Sequence, residues 1–94
     1  MEVKEAVALA KKYVRDVFAE EKIDNVGLEE VEFDEKRGIW SVTIGFSRPW
    51  EEAPGTFGLK LAEFAPRRRD YKVVRIKDAD KRVTSVKNRE AVSE

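Results

Sequence analysis

The sequence lacks cysteine and histidine altogether. Without cysteine the chain has no disulfide framework and no thiolate chemistry. Without histidine it lacks the side chain that most often acts as an acid, a base or a metal ligand near neutral pH. The serines therefore have no histidine to activate them, and the chain contains no phosphate-binding or dinucleotide-binding fingerprint. We expect a protein that is not an enzyme, with no metal site and no cofactor.

Long apolar runs are also missing. No stretch approaches the roughly 20 apolar residues that a membrane-spanning helix needs. The first residues read Met-Glu-Val-Lys-Glu and do not show the basic and then apolar pattern of a signal peptide. These features predict a cytoplasmic protein with no membrane partner.

The composition supports a folded chain. Hydrophobic residues make up 41% and charged residues 40% of the 94 residues, which is enough apolar surface for one core. A chain of this length has room for one hydrophobic core. We therefore expect residues 1–94 to form a single domain.

The net charge of zero hides an uneven distribution along the chain. Residues 1–35 hold 5 basic and 11 acidic side chains, giving 5 − 11 = −6, and residues 36–94 hold the other 14 and 8, giving 14 − 8 = +6. A bipolar molecule can steer a charged partner or associate with itself. The alternative is that the helix and the strands simply carry different solvated side chains.

The N-terminal region has the period of an amphipathic helix. From Val3 the apolar residues recur at intervals of three and four, and charged residues occupy the other side. The pattern predicts a helix over about 3–22, because the turn-forming residues Asp24, Asn25 and Gly27 follow it. The predicted apolar stripe consists of Ala6, Val7, Ala10, Tyr13, Val14, Val17 and Phe18.

Four segments have the pattern of strands, at about 28–34, 39–46, 71–77 and 82–89. The clearest is the second, where Trp40, Val42, Ile44 and Phe46 alternate with smaller residues, so that Trp40 is expected in the core. The step from Leu28 to Val31 breaks the alternation and indicates a bulge or a late start. All three prolines lie in 47–70, which is predicted to be a long loop.

The order helix, two strands, loop, two strands predicts an α+β fold. Sequential strands joined by short turns usually pair antiparallel. We expect one N-terminal helix packed on a curved antiparallel sheet of three or four strands. The apolar stripe of the helix is expected to cover one face of that sheet.

The two predicted hairpins resemble those of PepSY-type and cystatin-like domains. The resemblance rests on Val31-Glu32-Phe33-Asp34 leading to Gly38-Ile39-Trp40-Ser41-Val42, and on the segment 71–76 leading to 78–83. It implies a helix across a curved antiparallel sheet, and a peptidase-inhibitory or regulatory binding role. PepSY-type hairpins usually have a glycine in the last turn, where this sequence has Lys81-Arg82. The cystatin motif Gln-x-Val-x-Gly is absent, because the chain has no glutamine.

The long loop and the third strand supply the candidate interaction surface. Trp50 in the loop is a candidate binding residue, because tryptophan often anchors interfaces, although its ring is also able to cap the core. Alternation places Arg75 and Lys77 on one strand face with Tyr71, an arrangement that is able to contact phosphates and stack a base. The predicted surface comprises Arg48, Trp50, Phe57, Arg67, Arg68, Arg69, Lys72, Arg75 and Lys77.

Carboxylates are dense in the first strand. Paired carboxylates are able to bind a hard cation, but no glycine-containing calcium loop accompanies these, so a solvated strand face is the simpler interpretation. The acidic residues are Glu29, Glu30, Glu32, Asp34 and Glu35.

The preferred hypothesis is a noncatalytic protein-binding or regulatory module, whose partner is another protein or a second copy. The alternatives are a nucleic-acid-associated protein that uses the basic region 67–89, and a small-molecule carrier or peptidase-inhibitor-like domain. A helix-on-sheet scaffold hosts many unrelated functions, so the fold alone does not choose among them.

Overall fold

The computed structural model describes residues 1–48 and 69–89. Helix α1 (Val3–Val17) is followed by a short 3-10 helix (Ala19–Glu21) and then by strands β1 (Asp24–Asp34), β2 (Ile39–Ser47), β3 (Asp70–Lys77) and β4 (Val83–Asn88). The strands form one antiparallel sheet in the order β1-β2-β3-β4. The predicted α+β fold, with one N-terminal helix on an antiparallel sheet, is confirmed. The predicted loop residues Trp50, Phe57, Arg67 and Arg68 lie outside the described residues.

The N-terminal helix is shorter than the apolar period predicts. The α-helix ends at Val17 rather than near Lys22, and the chain tightens into the 3-10 turn. Lys22 then adopts the left-handed conformation with φ of 51° and closes this turn. The early end turns Phe18 onto Phe46, with 5.3 Å between the ring centroids. The chain therefore packs the Phe18 ring against Phe46 instead of continuing the helix.

Strand β1 begins at Asp24, four residues before the first apolar residue of its predicted pattern. Two register shifts interrupt its pairing with β2, between Asp24 and Gly27 and between Leu28 and Glu30. The second shift is the bulge that the broken alternation indicated. Asn25 adopts a left-handed conformation with φ of 54°. Because these irregularities break the two-residue period, the start of the strand is not visible in the apolar pattern.

The core lies between α1 and one face of the sheet. Ala6, Ala10 and Val14 of α1 are fully buried. The small alanines let the helix approach the sheet closely. They pack with the alternate residues of the two central strands, Trp40, Val42, Ile44, Phe46, Val74 and Ile76. By contrast Tyr13 and Val17, which the predicted stripe includes, are 39% and 52% exposed.

The two hairpin turns lie beside each other at one end of the sheet. In the first turn the Asp34 carboxylate accepts hydrogen bonds from the backbone N–H of Lys36 and of Arg37, and Gly38 has φ of 65°, where glycine carries no Cβ penalty. In the second turn Lys81 has φ of 58°. It therefore occupies the conformation that a glycine adopts at low cost, and its ammonium pairs with Glu5 of α1 at 2.6 Å.

Asp78 connects this end of the sheet to the core. One carboxylate oxygen accepts a hydrogen bond from the Trp40 indole N–H at 2.9 Å and lies 3.0 Å from the Met1 ammonium. These two donors hold the pKa of Asp78 below its ordinary value, and the indole bond is the larger cause. Burial raises the pKa of Asp78, and the charge of the Met1 ammonium lowers it. The ionised carboxylate is therefore the form that the folded chain favours.

This network predicts a pH-dependent effect of Asp78→Asn. Since the folded-state pKa is lowered, the contribution of Asp78 to stability is present above the ordinary aspartate pKa of about 4 and is lost as the pH falls through the lower folded-state value. Urea unfolding should show wild type more stable than Asp78→Asn at pH 7, with the difference shrinking below about pH 4. The control is Asp16→Asn, which removes an exposed ion pair with Lys12. Its free energy of unfolding should stay close to that of wild type at either pH. A difference that stays constant down to the most acidic pH at which the chain folds would contradict the assignment.

Candidate protein-binding surface

The sheet presents its second face away from α1, and we call this the outer face. The strand register places three alternate residues of β1 on this face: Glu30, Glu32 and Asp34. From the other strands it adds Ile39, Ser41, Thr43, Gly45, Tyr71, Val73, Arg75, Lys77, Ser85 and Lys87. No helix of the described residues covers this face.

The outer face is ordered in rows that cross the strands. The first row runs from Glu30 through Thr43 and Val73 to Lys87. Each step in this row is a direct pairing between neighbouring strands, about 4.8 Å apart. The row therefore begins with a carboxylate at one edge of the sheet and ends with an ammonium group at the other.

Two further rows repeat this polarity. The second runs from Glu32 through Ser41 and Arg75 to Ser85. A shorter third row joins Asp34 of β1, Ile39 of β2 and Lys77 of β3. In each row the acid belongs to β1 and the base to β3 or β4. These three rows therefore have acids on one side and bases on the other, while beyond the first row the Arg69 guanidinium lies near Gly45 and Glu29 on the same face.

The charged side chains of the first two rows are exposed, and the middle of the first row is neutral. Glu30, Glu32, Arg75 and Lys87 are all exposed. Thr43, in the middle of the first row, is only 4% exposed because it sits on a central strand. The first row, with a neutral centre and charges at the rim, has the arrangement of a typical protein interface, in which charged residues are depleted at the core.

A cleft of about 350 Å³ opens on the outer face where the first two strands meet the third. Its lining includes the carboxylates of Glu32 and Asp34 and the guanidinium groups of Arg37 and Arg75, and Arg37 lies 3.9 Å from Asp34. A site with both signs of charge favours a ligand that also carries both signs. Side chains of another protein surface meet this requirement, whereas a polyphosphate backbone would face the carboxylates.

The structure divides the basic residues that the sequence grouped together. Arg75 and Lys77 share the outer face, as alternation predicts. Lys72 lies on the face that carries α1, where its ammonium is 5.6 Å from the centre of the Phe18 ring and donates to the side chain of Asn88. Its position opposite Ile44 explains this, because neighbouring residues of a strand point to opposite faces.

Arg48 serves as a structural connector. Its guanidinium donates to Asp70 at 2.5 Å and to Glu21, and it is only 17% exposed. It also lies over the rings of Phe18 and Phe46, at 5.6 and 5.5 Å from their centres. The residue thereby joins the 3-10 helix, the end of β2 and the start of β3.

Arg69 and Tyr71 also have partners within the chain. Arg69 donates to the backbone carbonyl of Asn25 at 2.9 Å and lies 4.0 Å from the Glu29 carboxylate. The Tyr71 ring carries the Arg89 guanidinium, 4.0 Å from its centre. One ring face of Tyr71 is therefore occupied, which weakens its predicted role in stacking a nucleic-acid base.

The residues that sequence patterns missed are the neutral ones in the middle of the rows, Ser41, Thr43 and Val73. Alternation already placed Ser41 and Thr43 on the smaller-residue side of β2, and Val73 on the side of β3 that carries Tyr71 and Arg75. Their alignment with Glu30, Glu32 and Lys87 was not, because it depends on the pairing register.

In residues 1–48 and 69–89 no three acidic side chains come together in a way that would hold a metal ion. The one long helix of this part of the chain is neither long nor apolar enough to cross a membrane. Comparison with protein-family models, curated proteins and solved structures found no match to this chain.

Proposed function

We propose that this chain is a noncatalytic binding module that engages another protein chain through the outer face. The observation that carries the proposal is the set of aligned rows, each with an acid on β1, a neutral residue on β2 and a base on β3 or β4. Complementary charge patterns steer partners and set their orientation. The proposal includes a cytoplasmic location, in keeping with the lack of cysteine.

The other face supports this choice. Its central part is filled by the contact between α1 and the sheet, where nine side chains are buried. That packing disfavours a small-molecule carrier with a pocket between helix and sheet. The outer face also disfavours nucleic acid as the first choice, because Glu32 lies two strands from Arg75, about 10 Å away. A carboxylate at about one Debye length from the base opposes phosphate binding.

Photo-crosslinking tests the proposal with two matched positions. Tyr71 lies on the outer face and Tyr13 is an exposed residue of α1, so each is replaced in turn by benzoylphenylalanine, a photoreactive residue of similar shape. Irradiation in cells that produce the protein should yield defined protein adducts from position 71 and few from position 13. Adducts from position 13 alone, or from neither, would contradict the proposal.

A charge variant makes this test specific. In the position-71 protein, Arg75→Glu with Lys87→Glu should abolish the adducts, because it reverses the basic side of the outer face. The matched control is Lys4→Glu with Lys12→Glu, which makes the same charge change on exposed positions of α1. Circular dichroism and urea unfolding check that each variant folds. Adducts that survive the outer-face reversal but not the α1 reversal would place the binding surface elsewhere.

A further inference from the structure

We infer that the partner of the outer face is a second copy of this chain, packed face to face with its strands aligned. The inference rests on the proposed function and names the occupant of its surface. The two copies are related by a two-fold axis that runs parallel to the strands, between β2 and β3. The argument for this occupant is the charge complementarity of the face with itself.

The axis determines which strands meet. Rotation by 180° about an axis parallel to the strands keeps each row at the same position along the strand direction. It reverses the order of the strands. Strand β1 of one copy then lies over β4 of the other, and β2 lies over β3. Two stacked sheets with nearly parallel strands are the common aligned packing, with about 10 Å between the sheets.

The rows become complementary in this arrangement. In the first row Glu30 of one copy faces Lys87 of the other, and Thr43 faces Val73. In the second row Arg75 faces Ser41, beside Glu32. Because the arrangement is symmetric, every such pair occurs twice. In the first row the neutral residues meet at the centre and the ion pairs form at the rim, whereas in the other two rows Arg75 and Lys77 face Ser41 and Ile39, each of which lies beside an acid of β1.

Other ways of pairing two copies either bring like charges together or do not close into a dimer. A two-fold axis that runs across the strands lays β1 over β1, and so places Glu30 and Glu32 against their own copies. If two β1 edges paired, their acidic side chains would repel each other. If two β4 edges paired, their basic side chains would repel each other. Pairing the β1 edge with a β4 edge joins opposite charges, but it leaves two free edges and so propagates into an open chain.

The size of the face sets the expected strength. Four strands at about 4.8 Å and four residue pairs at about 6.8 Å give a face of roughly 20 by 25 Å, or about 500 Å² from each copy. About 1,000 Å² in total lies at the lower end of interface sizes. The dimer should therefore be a weak one that exchanges with monomer, and it should weaken further as salt screens the ion pairs.

Two opposite charge reversals and their mixture test the inference. One variant, Glu30→Lys with Glu32→Lys, replaces the acids of the first two rows with bases. The other, Arg75→Glu with Lys87→Glu, replaces the bases of the same two rows with acids. Sedimentation velocity from about 10 µM to 1 mM measures the association of each. Circular dichroism and urea unfolding confirm that both fold.

Wild type should form dimers and nothing larger. Each variant alone should associate at least about tenfold more weakly, because like charges then replace the facing pair of residues 30 and 87, which occurs twice in the dimer. An equimolar mixture should recover a dimer containing one copy of each variant, because both contacts are then opposite in sign. Wild type that stays monomeric at 1 mM, a variant that dimerises like wild type, a mixture that stays monomeric, or growth beyond dimers would each overturn the inference.

Failure of the dimer is distinguishable from failure of the proposed function. The mass of the adduct formed from position 71 identifies what occupies the outer face. An adduct of two copies of this chain supports both statements. An adduct with a different protein, together with monomeric wild type in sedimentation, upholds the proposed function and overturns the second copy as partner.

Discussion

Phe46→Ala should lower the free energy of unfolding by about 3–5 kcal/mol, the range for removing a fully buried phenylalanine. Phe46 is 0% exposed, its ring lies 5.3 Å from that of Phe18, and the Arg48 guanidinium covers it. The substitution leaves a cavity at the end of the core and removes the ring that holds Phe18 in place. Urea unfolding followed by circular dichroism measures the change.

Phe33→Ala is the matched control for this prediction. Phe33 belongs to the edge strand β1 and is 38% exposed, although its ring lies 4.6 Å from that of Trp40. The same chemical change should therefore cost only about 1–2 kcal/mol. If the two variants were equally destabilised, the placement of Phe46 at the centre of the packing would be wrong.

Arg48→Met should lower the free energy of unfolding by about 1–3 kcal/mol. The substitution keeps an apolar stem over the rings of Phe18 and Phe46 but removes the guanidinium that Glu21 and Asp70 share. These two carboxylates are about one third exposed, so water compensates for part of the lost interaction. The expected loss is therefore below that for Phe46→Ala. Urea unfolding at low and at high salt measures it.

Arg48→Lys separates charge from geometry at this position. Lysine keeps the positive charge but cannot donate in two directions from a planar group, so its stability should lie between those of wild type and Arg48→Met. Stability equal to wild type would contradict the connecting role of the guanidinium. It would also reopen Arg48 as a residue available to a partner.

The central part of the fold was predictable from sequence because its signals are strictly periodic. Trp40, Val42, Ile44 and Phe46 alternate without interruption, and all four are buried as the pattern predicts. The ends of elements were not predictable in the same way. Lys22 takes a left-handed conformation that sequence gives no reason to expect of lysine, and the bulges of β1 hide its start.

The candidate surface was predictable only in outline. The charge difference between the two parts of the chain indicated a bipolar molecule, and alternation placed Arg75 and Lys77 together. The matching of Glu30 with Lys87 across four strands depends on three pairing registers, which no local pattern specifies. The ion pairs of Arg48 and the α1-side position of Lys72 likewise follow from tertiary contacts.

A distance between the two helices distinguishes the proposed face-to-face dimer from other arrangements. Lys12 is an exposed residue of α1, and Lys12→Cys introduces the only cysteine of the chain, so a spin label can be attached there alone. In the face-to-face dimer the layers are helix, sheet, sheet, helix. Since each step is about 10 Å, pulsed electron resonance should detect an intermolecular distance above about 30 Å. A distance under about 20 Å would mean that the helices meet. No intermolecular distance at all would mean that the outer face has no second copy. Either result would contradict the face-to-face dimer.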